Sequence, residues 1–146
     1  MKFGIEKIKS LLPHREPFLF IDNCEIIEPG KSGVGFRKFL PDEYFFKGHF
    51  PGRPIVPGVI LIEALAQTSG VVVANELFSK SSKISVLFTS VSSAKFRKPV
   101  VPNDEILFEV KLVNQVKSVY RFYGEALKNS QKVCDSVFSA MIINNN

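Results

Sequence analysis

The segment GHFPGRPIVPGVILIEALAQ, residues 48–67, holds a histidine, a carboxylic acid and an amide: His49, Glu63 and Gln67. Glu63 and Gln67 are four residues apart, so on a helix they share one face. A carboxyl group on an otherwise apolar helix is costly unless it finds partners or keeps its proton. The protonated form is the one a general acid uses. For that pair alone, capping of Glu63 by Gln67 without any chemistry is an equally good reading. His49 adds a base suited to neutral pH. It precedes a turn-rich loop that leads into a helix start at Gly58. Unpaired N–H groups and the positive end of the helix dipole collect at such a start. A base, an acid and a carbonyl-polarising donor are what it takes to remove a proton beside a carbonyl and expel a β-hydroxyl.

The elements that must position these groups follow from the pattern of the chain. Residues 58–78 are apolar nearly all round and predict one buried helix, about 30 Å long. Ile5, Ile8 and Leu12 fall at helical spacing before Pro13, which predicts a short amphipathic helix over residues 3–12. PFLFIDNCEII and SGVGFRKF read as strands around the turn EPGK, and residues 40–57, with Pro41, Pro51, Pro54 and Pro57, read as irregular. SKSS breaks the long helix. The β-rich runs KISVLFTSV, SAKFRKPV, EILFEVKLVNQV, SVYRFYGEAL and KVCDSVFSAMII follow, with turns at VPND and KNSQ. The prediction is a single α+β domain over residues 1–146, one long helix wrapped by a mostly antiparallel sheet. The helix is more apolar than one thin sheet can cover, so a second copy of the chain is expected as a lid.

Composition narrows the classes. The chain has 146 residues, 45% of them hydrophobic and 14 of them Phe, enough for a sizeable core. The net charge of +5 fits nucleic acid, an acidic protein or no partner at all. Its one local cluster is Lys95-Phe96-Arg97-Lys98. Charges at Glu6, Lys7 and Lys9 stand where a secretory signal needs an apolar run. Residues 59–74, interrupted by Glu63, Gln67, Thr68 and Ser69, read as too short and too polar for a membrane span. Cys24 and Cys134 fit no metal or redox spacing and read as reduced thiols. A cytoplasmic protein is expected. PGKSGVG is not a phosphate loop, because Glu25 stands where that motif needs its first glycine. Ser69 in QTSG sits mid-helix and so is no nucleophile elbow. His14 and His49 are a poor start for a zinc site. His14, after Pro13 at a helix end, reads as structural, with ligand contact as the other reading. The terminal NNN reads as a frayed end.

LLPHREPFLFID at 11–22, FFKGHFPGRPIVPGVILIEALAQ at 45–67 and KFRKPVVPND at 95–104 resemble (3R)-3-hydroxyacyl-[acyl-carrier-protein] dehydratases of FabZ type, in order and over nearly the whole chain. The resemblance implies a hot-dog fold and dehydration of 3-hydroxyacyl thioesters to trans-2-enoyl thioesters in fatty acid biosynthesis, without a metal or organic cofactor. It implies that His49 and Glu63 are catalytic, that the Gly58 N–H holds the thioester carbonyl and that Gln67 supports the acid. It also implies an acidic acyl carrier protein, bearing the substrate on phosphopantetheine, as partner. Lys95, Arg97 and Lys98 are the expected docking patch. Homodimers are implied, with His49 of one chain facing Glu63 of the other, and trimers of dimers. Glu63, where the isomerising relatives carry Asp, favours the non-isomerising type. Two features depart from the family. Asn103 replaces the glycine of its Pro-x-Gly-Asp turn, and LFTSVSSAKFRKP is unusually serine-rich where the acyl tunnel is lined, which leaves chain length open. The alternatives are the same chemistry in a specialised acyl or polyketide pathway, a hot-dog thioesterase, or an idle partner subunit.

Overall fold

A computed structural model describes residues 1–77 and 84–144. Its elements are β1 (Lys2–Phe3), α1 (Ile5–Leu11), β2 (Asn23–Glu28), β3 (Ser32–Lys38), a 3₁₀ turn (Tyr44–Lys47), α2 (Gly58–Leu77), β4 (Ile84–Phe96), β5 (Glu105–Val116), β6 (Val119–Lys128) and β7 (Gln131–Asn144). The strands form one sheet in the order β1-β2-β3-β5-β6-β7-β4, antiparallel at every pairing. The α+β class and the wrapped helix are as expected. The SKSS break, Lys83 and the last two asparagines lie outside the described residues, whereas Asn144 pairs with Ile84.

The sheet wraps α2 because its inward positions alternate. Ile106, Phe108 and Val110 on β5, and Tyr120, Phe122 and Ala126 on β6, are buried. Phe20, Phe39, Phe108, Phe122 and Phe138 are fully buried, each contributing about 1.5–3 kcal/mol of transfer energy. The helix approaches so closely that only glycine fits beneath it in places. A Cβ on Gly35 would lie 2.4 Å from Thr68 Oγ1, and one on Gly33 would lie 2.7 Å from Val72 Cγ2. The polar residues of α2 do not prevent its burial, since Thr68 and Ser69 donate to Ala64 O and Leu65 O one turn back.

Four features differ from the sequence reading. Residues 17–22 do not join the sheet, because Gln67 on α2 takes the Phe20 N–H and the Phe18 carbonyl that a strand partner would need. KISVLFTSV and SAKFRKPV merge into one strand, β4, with register shifts between Phe88 and Ser90 and between Val91 and Ser93. By length and composition α2 could cross a membrane after all. Its side chains are taken up by the core instead, with Val71–Ala74 at most 1% exposed. The sheet covers more of α2 than expected, so the lid would meet chiefly Val59, 69% exposed near the helix start. Exposed apolar side chains do gather on β4, a sheet edge that exposes Leu87, Phe88, Val91 and Phe96. The Asn103 turn survives as expected, at φ 72°.

Cys24 and Cys134 are free and buried. Burial, with Glu25 adding to it, pushes the Cys24 thiol up to about 12. Burial, with Asp135 adding and Arg97 opposing, pushes Cys134 up to about 11. A raised thiol pKa starves the thiolate at lower pH, and the thiolate is the nucleophile. Neither cysteine should react with an aromatic disulfide reagent at mildly alkaline pH until denaturant is added. Rapid labelling of the folded protein would contradict this.

Candidate active site

The 3₁₀ turn anchors the loop that carries His49. Phe45 and Phe46 bury their rings, and His49 N–H donates to Phe45 O at 3.1 Å. The loop closes on itself, with Ile55 N–H donating to His49 O at 2.8 Å and Arg53 N–H to Phe50 O at 2.9 Å. Gly52 supplies the left-handed turn between them, at φ 74°. The imidazole stacks on Phe50 and places Nδ1 2.8 Å from Ile55 O. A carbonyl oxygen only accepts, so Nδ1 carries a hydrogen, and in the neutral imidazole Nε2 then keeps the lone pair. That is the tautomer of a general base.

Val56 N–H bonds Val100 O at 2.8 Å and draws the loop onto the segment after β4. Pro57 then opens α2 at Gly58. The first N–H groups of a helix have no intrahelical acceptor. Gly58 is also a steric requirement, since a Cβ there would lie 2.5 Å from the Phe96 ring. His49, Ile55, Gly58, Val59, Phe96 and Lys98 are among the walls of one open groove of about 370 Å³. His49 and the start of α2 therefore meet in one groove within one chain.

Glu63 is not among the walls of that groove. It stands one helical turn beyond Val59, a wall of the groove, and so further along α2 than the groove reaches. Glu63, with its side chain 18% exposed, meets a different set of groups. Gln67 Nε2 donates to its Oε2 at 2.9 Å, and His14 Nε2 lies 3.5 Å from the same oxygen. Gln67 is fully buried and saturated, since it also donates to Phe18 O at 3.0 Å and accepts from Phe20 N–H at 2.8 Å. The predicted Glu63–Gln67 pair is thus present. The structure places His49 with Gly58, and Glu63 with Gln67, as two halves.

Arg97 and Lys98 line the His49 groove, and Lys95 is exposed nearby on β4. Arg97 Nε donates to Asp135 Oδ2 at 2.6 Å, so part of its charge is already matched. Lys98 Nζ donates to Gln131 Oε1 at 2.6 Å. Sequence reasoning missed the Phe96 ring over Gly58, the Asp135 partner of Arg97 and the contact of His14 with Glu63. All three join residues at least 38 positions apart.

One antiparallel sheet wrapped round one long helix, with a histidine loop at the helix start, defines a hot-dog protein. Solved structures agree on the fold. The dehydratase heterocomplex ApeI:P from Xenorhabdus doucetiae superposes with a TM-score of 0.75 at 15% identity, covering 94% of this chain and 91% of that one. A hypothetical thioesterase from Streptococcus pneumoniae, solved with coenzyme A, gives 0.62 at 14% identity, covering 95% and 93%. Sequence narrows the class. The FabA-like domain model matches residues 12–136. The curated 3-hydroxyacyl-[acyl-carrier-protein] dehydratase FabZ of Clostridium kluyveri is 41% identical over 142 residues, 97% of each chain. That of Caulobacter vibrioides is 40% identical over 139 residues, 95% of this chain and 87% of the relative. The chain belongs to the FabZ-type 3-hydroxyacyl-[acyl-carrier-protein] dehydratase family.

Proposed function

We propose that this chain, as one domain over residues 1–146, dehydrates (3R)-3-hydroxyacyl thioesters on acyl carrier protein to trans-2-enoyl thioesters in fatty acid biosynthesis. The Gly58 N–H receives the thioester carbonyl and steadies the enolate oxygen. His49 Nε2 takes a C2 proton. Glu63 protonates the departing C3 hydroxyl, and water leaves. The observation that carries the reading is the Nδ1 contact of His49 with Ile55 O at 2.8 Å, which leaves Nε2 as the base in the groove that Gly58 lines. The test is product analysis on carrier-bound 3-hydroxyacyl substrate. Formation of the enoyl thioester supports the reading, and release of free carrier thiol points to a thioesterase.

Glu63 completes the site from a second copy of the chain. Two observations favour this: the separation of Glu63 from the His49 groove, and the exposed apolar edge strand β4. The dimer pairs along that edge, and trimers of such dimers are the further assembly. The setting is cytoplasmic, in keeping with two buried free thiols.

Lys95, Arg97 and Lys98 guide the acidic carrier to the groove. Reversing these charges should raise KM for carrier-bound substrate and flatten its salt dependence. Lys95 and Lys98 should matter more than Arg97, whose charge Asp135 already faces. Short thioesters without the carrier should be affected far less. Equal losses on both substrates would contradict the docking role.

A further inference from the structure

The connection between α1 and β2 is tied to the end of α1 by Arg15 and to α2 by Gln67. Arg15 Nη1 donates to Leu12 O at 2.9 Å and His14 O at 2.6 Å, and its Nη2 donates to Lys9 O at 3.1 Å. Gln67 grips Phe18 and Phe20 from the helix. Between these clamps the His14 side chain is only 13% exposed, and its Nε2 lies 3.5 Å from Glu63 Oε2. Its Nδ1 is buried with no hydrogen-bond partner among the described residues. A ring kept there only to fill space would do better without that orphan nitrogen, because unsatisfied buried polar atoms destabilise a fold.

We propose that His14 is a positioning residue that holds the Glu63 carboxyl with Oε1 as its working oxygen; this rests on Glu63 being the general acid. Carboxylates accept hydrogen bonds, so His14 presents its hydrogen on Nε2. Oε2 then faces two donors, Gln67 Nε2 and His14 Nε2, whereas Oε1 has no hydrogen-bond partner among the described residues. Of the two carboxyl oxygens, Oε1 is therefore the one free to carry a transferable proton to the substrate hydroxyl. At 3.5 Å the His14 contact is long for a hydrogen bond, and such contacts shorten when substrate closes a site. Gln67 alone leaves the carboxyl free to turn about its single bond, and His14 removes that freedom.

The test uses two amides. In His14→Gln the side-chain N–H falls near the position of Nε2, and in His14→Asn it falls near Nδ1. We expect His14→Asn to lower kcat roughly tenfold to a hundredfold, the scale of a small misplacement of a reacting group. KM should stay within about twofold, and His14→Gln should keep most of the rate. Melting curves accompany each variant, and His14→Ser replaces His14→Asn if the latter does not fold. The proposal is overturned by a full rate in His14→Asn or by equal losses in both amides. An active Glu63→Gln would instead remove the acid assignment itself. A dead Glu63→Gln beside a fully active His14→Asn removes only the role of His14.

Discussion

His49→Ala and Glu63→Gln each abolish enoyl-thioester formation, and both proteins still melt cooperatively. A positioned general acid or base supplies roughly 10²–10⁴ in rate, equivalent to about 3–5 kcal/mol of barrier. The fold should tolerate both changes. The His49 loop keeps its backbone bonds from His49 N–H to Phe45 O and from Ile55 N–H to His49 O when the ring is removed. Glutamine at 63 keeps the volume of the acid and still offers an oxygen to Gln67 Nε2, its partner at 2.9 Å. What it loses is the transferable proton. If either variant keeps more than about a tenth of the wild-type rate, the acid–base assignment is wrong.

Mixing two dead variants should restore activity. Chains with His49→Ala and chains with Glu63→Ala, refolded together, form mixed dimers in which one site carries both lesions and the other carries none. Random pairing makes half the dimers mixed, so roughly a quarter of wild-type activity returns. The expectation follows from Glu63 standing outside the walls of the groove that holds His49 and Gly58, with its carboxyl turned to Gln67 and His14 instead. It follows also from the β4 edge, where exposed Leu87, Phe88 and Val91 leave an apolar strand for a second copy to pair with. If both residues worked within one chain, every site would carry a lesion. Mixtures that stay at the baseline, with mixed dimers verified by mass, would contradict the shared site.

The parts of this arrangement that are local in the chain could be read from residue order. The helix predicted over 58–78 is observed as Gly58–Leu77, and its Glu63–Gln67 spacing directly yields the observed pair. The loop glycines, the Asn103 turn and the inward alternation of β5 and β6 also follow from near neighbours. The features that escaped are set by distant partners. Residues 17–22 carry the β-rich composition of a strand, but a glutamine 47 positions away captures the Phe20 N–H. The need for a lid was placed on α2 because apolarity alone does not say how far a sheet will wrap. Exposed apolar side chains gather on β4, where interspersed serines and register shifts break any simple alternating pattern. His14 meets Glu63 only once the connection after α1 folds back over the helix.

The most direct measurement follows the protons. Carrier-bound (3R)-3-hydroxyacyl substrate with both C2 hydrogens replaced by deuterium is converted by the wild-type protein, and the product is weighed. His49 removes one C2 hydron as water is lost from C3, so the account predicts an enoyl thioester still attached to its carrier and retaining one deuterium, with no conversion by His49→Ala. A product that keeps both deuterons, released as the free acid, would contradict it.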